Sequence, residues 1–197
     1  MDVPLSPVRD RLLASAAQLF YEHGVAATSV QDVIEVAEVS RPTLYAYFES
    51  KEELLATVLT ERHQRLASDL ERFESAAGHD ARARLLALFD WLEEHYKDEA
   101  PRGCGFLMVA AEHAANEPLQ QLVAHHKHWM WDHLRTIAEE AELANPRLVA
   151  RQLMLLVDGV SGYMLASTAN SVQDVSDVVA AAREAARVVI EAAASRS

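Results

Sequence analysis

The stretch Ser29–Glu53, SVQDVIEVAEVSRPTLYAYFESKEE, constrains this chain more than any other. Val30, Val33, Ile34 and Ala37 recur at helical spacing, the apolar stripe of a short amphipathic helix. Val39-Ser40 interrupts that stripe. Ser40 is placed to N-cap a second helix that carries Pro42 in its first turn, where the missing N–H has no intrahelical partner to lose. Within Arg41–Phe48, Leu44 and Phe48 stand one turn apart and face inward, leaving Arg41, Thr43, Tyr45 and Tyr47 on the outer surface. Ser50 and Glu53 form a capping box for a third helix. Lys51 lies in its first turn, where free backbone amides already favour a phosphate. Two short helices, a tight connection and an outer face of Arg, Thr and Tyr make a helix-turn-helix suited to phosphates and base edges.

Composition fits an all-helical chain. Of 197 residues 50% are hydrophobic, with only 6 Gly and 6 Pro to break helices. The single cysteine, Cys104, permits no intramolecular disulfide and points to a reducing compartment. The N-terminus MDVPLSPVRDR lacks the apolar core of a secretory signal, and no run approaches the roughly 18 apolar residues of a membrane span, so a cytoplasmic location is expected. The net charge of −12 runs against a nucleic-acid partner at first sight. Locally, Arg9, Arg11 and Arg41 face Asp2, Asp10, Glu22, Asp32, Glu35, Glu38 and Glu49. The DNA reading rests on placement, with Arg41 and Lys51 on the recognition side, and low non-specific affinity is expected.

The segment RPTLYAYFESKEELL resembles the recognition-helix signature of the tetracycline-repressor (TetR) family of transcriptional regulators, and LLASAAQLFYEHGVAATSVQDV is similar to that family's first two helices. The resemblance covers about the first 55 to 60 residues. It implies an all-α protein with an N-terminal three-helix DNA-binding domain, residues 1–50, and a C-terminal helical ligand-binding and dimerisation domain, residues 51–197. It also implies a DNA-contacting set of Gln31, Arg41, Pro42, Thr43, Tyr45, Tyr47 and Lys51. Gln31, Arg41 and Tyr45 would meet base edges, while Thr43, Tyr47 and Lys51 would hold phosphates. Arg41 bidentate on a guanine would supply about 1–3 kcal/mol of discrimination. The implied partners are double-stranded operator DNA, a second copy of the chain and a small apolar or amphipathic effector, with no cofactor. One departure stands out: family members usually have Gly where this chain has Glu38. A left-handed Glu there carries strain on the order of 1 kcal/mol.

Taken in order, the periodicity predicts about nine helices: 7–23, two in the helix-turn-helix, 51–75, 81–97, Cys104–Ala115, 118–144, 147–168 and one from about 172. Ser6 is expected to cap the first and Gly24 to stop it in the left-handed region. The last two helices are apolar over wide faces, which by resemblance means dimerisation. An effector pocket is expected among Phe89, Phe106, Met108, Trp129, Met130 and Met154, with His113, His126, His133 and Asp158 as polar groups that could orient a ligand. For each of these the plainer alternative is core filling.

His125, His128 and Asp132 share one helix face at metal-ligand spacing, yet flank the apolar stripe as solvated residues commonly do, so no metal site is expected. Cys104 opens an apolar helix, where burial argues against redox sensing. An enzyme is not expected. No Asp or Glu has His at the third following position, and no phosphate-binding Gly-rich loop or Gly-x-Ser-x-Gly elbow occurs. The competing possibility is a helical dimer that acts through protein partners without specific DNA binding.

Overall fold

The computed structural model describes residues 6–98, 103–166 and 172–195. Most of the loop expected at 98–103, and residues 167–168 at the expected end of the eighth helix, lie outside them. Among the described residues the elements are α1 (Pro7–His23), α2 (Val30–Ala37), α3 (Arg41–Tyr47), α4 (Lys51–Ala77), α5 (Ala81–Asp98), α6 (Gly105–Glu112), α7 (Glu117–Glu140), α8 (Pro146–Ala166) and α9 (Val172–Ala194), with no strand. The chain divides into two compact units: residues 1–64 with 105–123, and residues 65–104 with 124–197. The expected boundary after residue 50 falls inside the first unit. Long-range contacts explain why. Glu112 Oε2 on α6 accepts the Ala26 N–H at 2.9 Å, and the Arg62 guanidinium of α4 lies 5.1 Å from the Tyr21 ring.

In the first unit α1 packs on α2. Leu12, Leu13, Ala16 and Phe20 of α1 join Val33, Ile34, Ala37, Leu44, Phe48, Leu54 and Leu55 in one core. α1 ends at Gly24, with φ 87 and ψ 155 in place of the left-handed geometry expected. Ser6 stands at its N-cap position but makes no capping bond; its hydroxyl meets Tyr47 OH at 2.9 Å. α6 is shorter than Cys104–Ala115 and only partly enclosed. Phe106, Met108 and Val109 are buried, while Ala111 and Glu112 face solvent. Its end is set by two contacts. Gln120 Nε2 donates to the Ala110 and His113 carbonyls at 3.0 Å each, and Asn116 Oδ1 accepts the Leu119 N–H at 3.2 Å to open α7.

In the second unit α5 and α8 pack on α9. Leu85, Leu88, Phe89 and Leu92 of α5 are buried with Val149, Leu153, Val157, Val160 and Met164 of α8 and Val175, Val179, Ala186 and Ile190 of α9. Asp80 Oδ1 accepts the Arg82 N–H at 2.9 Å, capping α5. α7 stops at Glu140, four residues short of the expected end. Glu142 turns left-handed (φ 52), and Leu143 N–H reaches back to the Ala138 carbonyl, closing the helix before Asn145-Pro146 is met. α8 has the length and mean hydropathy (1.3) of a membrane span, and 44% of that window is buried within the fold.

Candidate nucleic-acid interface

The reading head is built from caps outward. Ser29 Oγ accepts the Asp32 N–H at 3.2 Å and Asp32 Oδ2 accepts the Ser29 N–H at 2.6 Å, a reciprocal box that starts α2. Those bonds, the Ser29 backbone bond foremost, hold the Asp32 carboxyl below its usual range. Thr28, just before Ser29, is buried and donates to the Gly24 carbonyl at 2.8 Å. α2 ends with Glu38 left-handed (φ 53, ψ 48), while the Val39 N–H bonds the Ile34 carbonyl. Glu38 therefore occupies the position where glycine is favoured. Ser40 Oγ then accepts the Thr43 N–H at 3.2 Å and meets Thr43 Oγ1 at 2.7 Å, which starts α3.

Leu44 and Phe48 anchor α3 and are buried, whereas Tyr45 and Tyr47 are 45% and 38% exposed. Arg41, Pro42 and Gln31 are exposed as well, and Thr43 is half-buried. Arg41 NH2 donates to Gln31 Oε1 at 3.4 Å, and Gln31 Nε2 donates to Glu35 Oε1 at 3.0 Å. At the start of α4, Ser50 Oγ accepts the Glu53 N–H at 3.1 Å, and Glu53 reaches back to the Glu49 N–H at 2.6 Å. Lys51 Nζ donates to the Val25 carbonyl at 2.6 Å, which leaves two of its three N–H groups for a phosphate. Sequence reasoning missed this bond and the Glu112–Ala26 bond. Together they tie the α1–α2 loop to α4 and α6.

The ten expected pocket residues divide between the units. In the first, Phe106 and Met108 are buried and His113 is half-buried, its Nε2 without a hydrogen-bond partner among the described residues. In the second, Phe89, Met130 and Met154 are packed core, His126 is buried, and Asp158 is taken by Lys127 as an ion pair. Only Trp129 and His133 of this set line the cleft of about 900 Å³ found in the second unit. That cleft lies among the end of α4, the start of α5 and α7, and is more polar than expected. Glu74, its side chain 7% exposed, accepts from His133 Nε2 at 2.6 Å and pairs with Arg84 at 3.5 Å. Arg84 also pairs with Glu140, and Trp129 stacks on His133 with ring centroids 5.7 Å apart. Asp132 is held by Arg135 at 2.7 Å, and the exposed His128 lies against Trp131. Cys104 is half-buried, less enclosed than an apolar helix start implies.

Comparison with known proteins places this arrangement. The family profile of bacterial regulatory proteins of the tetR family matches residues 12–58. The transcriptional repressor DhaR of Mycobacterium sp. (strain GP1) is 40% identical over 76 residues, 39% of this chain and 36% of DhaR, so the match spans about a third of that relative. The structure of SCO4454, a TetR-family transcriptional regulator from Streptomyces coelicolor, shares the fold at a TM-score of 0.86 and 22% identity, covering 95% of this chain and 90% of that one. The structure of sav143, a TetR-type regulator from Streptomyces avermitilis, is 30% identical at a TM-score of 0.71, covering 90% of this chain and 98% of that one. Helix-turn-helix, fold and near full-length likeness agree: the chain belongs to the TetR family of bacterial transcriptional regulators.

Proposed function

We propose that this chain is a homodimeric transcriptional repressor in the cytoplasm that leaves a palindromic operator when a small molecule binds its second unit. The carrying observation is α3 itself. Its inner residues are locked in the core, while Arg41 and Tyr45 are exposed on its outer face, on a capped support.

Dimerisation is supported by a face left open among the described residues. On α8, Leu148 and Leu155 are 49% and 65% exposed, and Gly159 and Gly162 continue their line at spacings of four and three, with open space where a Cβ would stand. On α9, Ala181, Ala185, Val188 and Ala192 repeat the same periodicity, with Val188 53% exposed. Two such small-residue stripes suit a four-helix interface between copies. For the effector, the cleft beside Trp129 and His133 suits an amphipathic molecule with hydrogen-bonding groups better than a purely apolar one. Lys51, Thr43 and Tyr47 serve the backbone in this reading, and Arg41 the bases.

The test is selection of duplexes from a randomised pool by the purified protein. An inverted repeat with half-sites about 34–36 Å apart, one duplex turn, is expected. Selection of nothing above scrambled DNA would leave the acidic head as a surface for protein partners. An effector found by thermal shift must weaken operator binding by the same factor as operator weakens effector binding.

A further inference from the structure

Gln31 ends in an amide whose two atoms are chemically opposite, and its neighbours decide which way it faces. Nε2 donates to Glu35 and Oε1 accepts from Arg41. A carboxylate only accepts and a guanidinium only donates, so a reversed amide would set oxygen against oxygen and N–H against N–H. The orientation is fixed by chemistry. It also uses one of the amide's two N–H donors and one of its two acceptor lone pairs, so Gln31 is tied to Glu35 and Arg41 at once. Beyond the base contact expected of it, Gln31 is therefore placed to hold Arg41.

On this basis, and resting on the operator-binding function above, we propose that Glu35 is a positioning residue for guanine recognition. Acting through Gln31, it steers the Arg41 guanidinium towards the position from which it grips guanine O6 and N7. Glu35 is exposed, one turn along α2 from Gln31, and among the described residues it forms no ion pair that would draw it elsewhere. Two consequences follow from its chemistry. An arginine already held by Gln31 has less rotamer freedom to lose on docking, so the gain falls on the sequence it is aimed at. A carboxylate on the reading face repels every phosphate backbone alike. The same residue thus lowers affinity for all DNA while raising the preference for one base, which is discrimination obtained partly by repulsion.

The experiment measures dissociation constants for the duplex that wild type selects, for a scrambled duplex, and for single-base variants, with wild type, Arg41→Ala, Glu35→Ala and Glu35→Gln. Arg41→Ala identifies the guanine that depends on Arg41. At that position Glu35→Ala is expected to lower discrimination about five- to tenfold, with scrambled DNA bound as tightly as before or more so. Glu35→Gln keeps an acceptor for Gln31 without the charge, so it should keep the discrimination and bind scrambled DNA more tightly. A uniform loss by Glu35→Ala on every duplex, or unchanged discrimination, overturns the assignment. So does a Gln variant that fails as the Ala variant does. If wild type selects no duplex, operator binding itself fails. If it selects a guanine that needs Arg41 but not Glu35, only the relay fails.

Discussion

Gly103 offers a sharp test of the second unit's packing. It has φ +76, and a Cβ built there would lie 2.5 Å from the Ser161 carbonyl oxygen and 2.8 Å from Leu165 Cβ. Neither is the end of a flexible side chain, so helix α8 itself must move. Gly103→Ala then combines two penalties: about 1–2 kcal/mol for an L-residue at positive φ, and roughly 1–3 kcal/mol for forced displacement of packed backbone. Gly78 is the matched control. It has φ +80 and nothing within 4 Å of an added Cβ, so Gly78→Ala carries the conformational penalty alone. Restricting the unfolded chain favours both variants by a similar ~0.4–1 kcal/mol and cancels in the comparison. Gly103→Ala should therefore be the less stable by about 1–3 kcal/mol. Urea denaturation followed by circular dichroism measures it, at one fixed protein concentration because the proposed dimer would couple association to unfolding. Equal midpoints for the two variants would refute the close approach of Gly103 to α8.

Three further outcomes are expected. Glu38→Gly should raise stability by about 0.5–1 kcal/mol by relieving the left-handed residue between α2 and α3; a lower denaturation midpoint would reject that strain. Asp32 is held below its ordinary value of 3.8, chiefly by the Ser29 N–H, so the unfolded chain binds its proton more readily. The stability lost in Asp32→Asn should thus be constant above that value and vanish as pH falls through the lower folded value; a gap that closes near neutrality would contradict it. With few cations on each head, operator affinity should fall with salt at a log–log slope of roughly −4 to −6, and a slope near −10 would reveal a basic surface not described above.

Local signals were legible in the sequence. Ser29, Ser40, Ser50 and Asp80 start helices where their side chains reach amides two or three residues on, and such bonds leave a signature at fixed spacing. The inward Leu44 and Phe48 followed from the same periodicity. What escaped is bonding between distant residues. Glu112 to Ala26, Lys51 to Val25 and Gln120 to the end of α6 depend on tertiary placement, which moved the unit boundary and shortened α6. The cleft in the second unit was not legible for a related reason. Aromatic and sulfur-containing residues on apolar stripes, such as Phe89 and Met154, fill the core as readily as they line a cavity. The cleft instead lies beside the buried Glu74 and its partners His133 and Arg84, a charge network with no local pattern.

The central claim, that α3 reads bases while the start of α4 holds the backbone, is tested most directly by one affinity comparison. Wild type, Arg41→Ala and Lys51→Ala are titrated onto the selected duplex and onto a scrambled duplex at the same salt. Arg41→Ala should lose its preference between the two. Lys51→Ala should weaken both about equally, and more than one lost phosphate contact implies, because it also releases the Val25 carbonyl that steadies the α1–α2 loop. Equal loss on both duplexes for Arg41→Ala would contradict the account.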